Sequence, residues 1–132
     1  MAAIVLLLGL AACSGGPSGG ISFTDDQGTA NQPFPTNYRA ELLAFMRSYL
    51  NDPVGVREAS MAQPVQRTVG GRLRYVSCVR FTAKDRDGQY RAPQEVAVSY
   101  VDARLDRVVE DIAAACAGAT YAPFPDMEKM AR

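Results

Sequence analysis

Between Tyr38 and Tyr49 the apolar side chains recur at Tyr38, Leu42, Phe45, Met46 and Tyr49. That three-to-four-residue spacing predicts an amphipathic helix with one stripe facing a sheet. Thr36 or Asn37 stands where a side chain can accept from the first free amides, and Asn51-Asp52-Pro53 ends the element. From Val54 the period falls towards two. Val54 to Val69 alternates weakly and is interrupted by Pro64, which suits an edge strand, and Gly70-Gly71 can turn the chain back. In the next run, Leu73, Tyr75, Val79 and Phe81 share one face, while Arg72, Arg74, Cys78 and Arg80 share the other. Asp87-Gly88 marks a polar turn. Val96, Val98 and Tyr100 then alternate with Glu95, Ala97 and Ser99, and Asp102-Ala103-Arg104 reverses the chain into Leu105 to Val109. The expected fold is α+β: one N-terminal amphipathic helix packed on a three- to four-stranded antiparallel meander, with a short Ala-rich helix near the C-terminus.

Composition adjusts this picture only at its edges. Of the 132 residues, 48% are apolar and 21% charged, which is ordinary for a packed domain and argues against wholesale disorder. Lys plus Arg and Asp plus Glu total 14 each, and none of them precedes Cys13. A neutral chain without a polybasic run lacks what phosphate neutralisation requires, so a nucleic-acid partner is not expected.

Ala2 to Ala12 is an unbroken run of small and aliphatic residues. At about 1.5 Å per residue it reaches only about half of a bilayer core, so it fits the apolar region of an export leader rather than a membrane span. Leu10-Ala11-Ala12-Cys13 resembles the lipobox of bacterial lipoproteins, and this resemblance covers those four residues and the run before them. It implies cleavage before Cys13 and acylation of that cysteine. Two or more acyl chains hold a protein stably on a membrane, whereas one holds it marginally. No Lys or Arg precedes the apolar run, unlike the usual leader, which points to a start codon upstream of Met1. In the lipoprotein family the residue after the cysteine influences sorting, and Ser14 in place of Asp favours the outer membrane over the inner.

The expected organisation is therefore a leader at 1–12, a lipidated cysteine and flexible Gly/Ser/Pro tether at 13–35, a small α+β domain at 36–125 and a tail at 126–132. About 20 flexible residues give a typical reach of roughly 25 Å from the membrane. Cys78 and Cys116 remain after Cys13 is assigned to lipid, and in an oxidising periplasm they are expected to form a disulfide. Neither Cys-x-x-Cys spacing nor any His is present, so no metal site, cofactor or histidine relay is expected, and no residue is assigned a catalytic role.

Arg72, Arg74 and Arg80 line one face of a strand and form the candidate binding surface, a basic stripe suited to lipid phosphate, an acidic glycan or an acidic partner protein. Tyr121-Ala122-Pro123-Phe124-Pro125 is extended and apolar, suited to docking in a partner's groove or to covering an edge of its own domain. Asp85-Arg86-Asp87-Gly88 begins like a calcium loop but lacks the closing acid, and reads as a turn. The leading functional expectation is a non-catalytic interaction or accessory module, tethered to the membrane through Cys13 and facing the periplasm. Its partner would be another envelope protein or a cell-wall component. The alternatives are a periplasmic inhibitor or small-ligand carrier and, behind that, a glycan-acting hydrolase using Asp102, Asp106, Glu110 and Asp111.

Overall fold

A computed structural model describes residues 31–131. The segment expected to be a leader, Cys13 and the segment expected to be a tether, as far as residue 30, lie outside the described residues. In chain order the elements are α1 (Tyr38–Tyr49), β1 (Asp52–Val69), β2 (Arg72–Lys84), β3 (Gln94–Val101), β4 (Arg104–Val109), α2 (Ile112–Ala115), β5 (Ala122–Pro123) and α3 (Pro125–Glu128). The strands form one antiparallel sheet in the order β4-β3-β2-β1-β5.

The expected balance between helix and sheet is corrected by this arrangement. Strands take 48% and helices 20%, and the sheet has five strands rather than three or four. Two physical causes account for the difference. The apolar stripe expected to make an amphipathic helical layer buries only Leu42 and Met46, and Tyr49 is left 49% exposed. Meanwhile β1 runs through Pro64 for 18 residues. Its register against β2 shifts between Asp52 and Arg57, between Arg57 and Ser60, and between Ala62 and Val65. Bulges absorb extra residues and bend a strand, and the last of them accommodates the proline. The fifth strand is the apolar Ala122–Pro123 step, which pairs with Met61 and Ser60.

Gly70 and Gly71, both at positive φ (57° and 79°), make the two-residue turn that joins β1 to β2. At the other hairpin Asp102 and Ala103 adopt positive φ (52° and 67°). The Asp102 amide there donates to Gln32 Oε1 at 2.8 Å, which ties the start of the described chain to the tip of β3–β4. Phe34 follows edge-on against Tyr38 and Tyr75, with centroids 6.0 and 5.3 Å apart.

Both faces of the sheet are covered. On one, Val79, Phe81, Val98 and Tyr100 pack beneath Leu42 and Met46 of α1 and beneath Phe124, Met127 and Met130 in and around α3. Residues 126–131, placed beyond the domain by the sequence pattern, thus carry two methionines into its core. On the other face, Ala62, Val76, Cys78, Ala97 and Val109 meet Ala115 and Cys116 of the α2 region. A disulfide joins Cys78 to Cys116 there, with the Cα atoms 6.0 Å apart.

Candidate functional site

The three arginines chosen as a binding stripe point from one strand face but do not act as one surface. Arg74 is 5% exposed, and its Nη1 donates to the Leu73 carbonyl at 2.8 Å. Arg72 lies exposed beside the hairpin turn, where its backbone pairs with Val69. Arg80 sits mid-strand, opposite Glu95 of β3. Its Nε meets Glu95 Oε2 at 2.5 Å and its guanidinium lies 3.8 Å from the centre of the Tyr121 ring. Residues two apart on a strand share a face, so the alternation was legible. What it lacked was α2 and the segment after it, which cross that face and occupy it.

Tyr121 and Glu95 complete a cluster around Arg80. The Tyr121 hydroxyl donates to Glu95 Oε2 at 2.5 Å. Burial by itself would raise the Glu95 carboxyl, yet the hydrogen bonds from Tyr121 and Arg80 outweigh it and hold the group below its ordinary range. Burial, with the Glu95 contact added, lifts the Tyr121 phenol well above its usual value. The chemical effect is to lock the segment after Cys116 onto the sheet, since all three side chains are engaged with one another.

The acids near the last hairpin are spread along it. Asp102 is in the turn, Asp106 binds Arg107 at 2.7 Å, and Asp111 accepts from the Ala114 amide at 3.2 Å as the cap of α2. Asp106 lies within β4 and Glu110 just past its end, and no contact joins the two carboxyl groups among the interactions of the described residues. Asp85 likewise serves the turn, its Oδ1 accepting from the amides of Asp87 at 2.9 Å and Gln89 at 3.0 Å. Among the described residues no group of three or more His, Cys, Asp or Glu is placed to hold a metal ion.

A feature with room for a ligand lies elsewhere among the described residues. A cleft of about 370 Å³ opens between β1 and the chain from Gly118 to Pro123. Its apolar lining includes Met61, Val65, Ala119 and Ala122, and its two charged lining residues are Arg39 of α1 and Arg67 of β1. Arg67 Nη2 donates to the Ala117 carbonyl at 2.8 Å, so the guanidinium bridges strand and loop. Arg39 and Arg67 come from separate elements, and no local spacing in the sequence announces that they meet. The segment from Tyr121 to Pro125, by contrast, carried a readable signal: its apolar, extended pattern marked it as an edge cover, and Ala122–Pro123 does pair with β1. Comparison with protein-family models, with curated proteins and with solved structures finds no match to the chain.

Proposed function

We propose that this chain is a bacterial envelope lipoprotein, held to a membrane by acyl chains on Cys13, whose domain works non-catalytically as an interaction or accessory module facing the periplasm. The observation that carries the reading is the Cys78–Cys116 disulfide. Such bonds persist in oxidising compartments, which is where the lipobox-like Leu10-Ala11-Ala12-Cys13 would deliver the chain. Ser14 favours the outer membrane's periplasmic leaflet over the inner membrane. The cleft beside β1 gives such a module a surface for its partner. It also supports a second reading, a carrier or inhibitor holding a small apolar ligand, because 370 Å³ lies within the range of small-molecule pockets.

Intact-mass measurement of the exported protein tests the anchor. The expected mass lacks residues 1–12 and carries acyl groups on Cys13, and a Cys13→Ala variant is expected in the soluble fraction. A bare Cys13 on an exported wild-type chain would overturn the reading.

A further inference from the structure

We propose that the cleft beside β1 is a docking groove for an extended, acidic segment of a partner polypeptide, which pairs with the edge of β1 beyond Met61 and lies between that edge and the wall formed by residues 118–121. This deepens the interaction-module reading and rests on it.

The edge is left open by the shortness of β5. That strand pairs with Ser60 and Met61 alone, although β1 continues to Val69. Beyond Met61 no strand among the described residues pairs with the outer side of β1, whose sheet neighbours are β2 and β5. Unpaired amides and carbonyls along a strand edge are a template for another extended chain. Val65 on this edge is 39% exposed. The bulge between Ala62 and Val65, with Pro64 inside it, bends the edge. A bent edge resists flat pairing with a second copy of itself and favours a short segment able to follow the curve.

Charge selects the occupant. Both charged residues lining the groove, Arg39 and Arg67, are cations. Arg39 is engaged chiefly with Tyr38, whose ring centre lies 5.9 Å from its guanidinium, and Asp126 acts on it more weakly from outside the lining. Arg67 Nε is buried without a hydrogen-bond partner among the described residues, while its Nη2 is pinned to the Ala117 carbonyl. No carboxylate among the described residues lines the groove, and an acidic side chain entering it supplies a countercharge to the two guanidinium groups. An apolar residue on the alternate position meets Met61 and Val65. The far wall is already rigid, because Cys116 is bonded to Cys78, Tyr121 is bonded to Glu95, and the Phe124 amide donates to the Ala59 carbonyl at 2.9 Å. A preformed wall lowers the ordering cost of binding.

The test uses the full exported chain in detergent micelles and a fluorescent Val-Asp-Val-Asp-Val-Asp peptide, followed by anisotropy. Saturable binding that weakens with added salt is expected, with Val65→Asp and, separately, Arg39→Ser each weakening it about tenfold or more. Arg39 is on the exposed side of α1, so that variant keeps the test open if Val65→Asp disturbs the strand. Equal binding of a Val-Lys-Val-Lys-Val-Lys peptide, full binding of a backbone N-methylated acidic peptide, or no binding of either peptide overturns the proposal. Tight binding of decanoate with exclusion of the acidic peptide also overturns it, in favour of a small-ligand carrier. Repeating the titration on Cys13→Ala separates the two readings. Retained binding with Cys13 bare in the wild type removes only the anchor, and lost binding with Cys13 fully acylated removes only the groove.

Discussion

On the face of the sheet covered by α1 and α3, the fully buried side chains include Phe81, Tyr100, Phe124, Leu42, Met46 and Met127. On the face covered by α2, the buried residues are Ala62, Val76, Ala97, Val109 and Ala115, with the two cysteines. Each large side chain on the first face contributes about 1.5 to 3 kcal/mol by leaving water, whereas a single methyl-sized group contributes about 0.8 kcal/mol. The first face can therefore hold its helices by packing. The second face cannot, because α2 is four residues long and too short to persist as a helix unaided. A covalent link, the Asp111 cap and the Arg80–Glu95–Tyr121 cluster take the place of bulk there. The difference matters for function because the segment following Cys116 is also the far wall of the cleft, so the weaker face supplies one wall of a site whose other lining includes Met61 and Arg39 of α1.

Breaking the packed face should cost the most. Phe124→Ala removes a ring with no exposed surface, between β1 and α3, and is expected to destabilise by about 3 to 5 kcal/mol in urea unfolding. A loss below about 1 kcal/mol would mean that α3 is not held by burial. Next comes the staple. Closing the separation of 38 residues is worth about 4 kcal/mol in the chain-entropy account, so Cys78→Ala with Cys116→Ala should lower stability by up to that amount. The position of the damage sharpens the comparison further. Amide exchange should accelerate at residues 112–121 in the double variant while β2 and β3 stay protected, and uniform acceleration would show that the two faces are one cooperative unit. Third, Tyr121→Phe keeps the ring over Arg80 and removes the hydroxyl from Glu95, with an expected cost of about 1 kcal/mol for a partly exposed hydrogen bond.

The same contrast explains how much of the molecule was legible in the sequence. Alternation along Arg72 to Ala83 and Glu95 to Tyr100 placed side chains on the correct faces, because a period of two is a property of the strand itself. It could not say what covers each face. Arg74 read as a surface cation because it alternates with Leu73 and Tyr75 and shares a strand face with Arg72 and Arg80, yet it is only 5% exposed. The Cys78–Cys116 pairing was reachable by elimination, since Cys13 was already assigned to lipid. The cleft was not reachable, because Arg39, Arg67 and Ala122 converge only through the order of strands in the sheet. The helix was over-weighted for a related reason. The opposing sheet face is shared with Phe124, with Met127 of α3 and with Met130, and of the helical stripe only Leu42 and Met46 are buried against it.

The smallest expected effect concerns pH, and it separates an electrostatic lock from simple shape fitting on the weaker face. Glu95 is held below its ordinary range in the folded chain, since the Tyr121 and Arg80 hydrogen bonds together outweigh the upward push of burial. A carboxyl with a depressed folded-state pKa adds stability that is present above its unfolded value, about 4.3, and is lost as pH falls through the folded one. Tyr121 is displaced upward by burial and by Glu95, so its contribution is present below about pH 10 and is lost as pH rises beyond the ordinary phenol value. Glu95→Gln retains the shape and abolishes the charge. The stability difference between wild type and this variant is therefore expected to be greatest near neutrality and to shrink on acidification below about pH 4.3. A difference that stays constant through that range would show that the Tyr121 segment is held on the sheet by fit and by the disulfide, with the ion pair as a bystander.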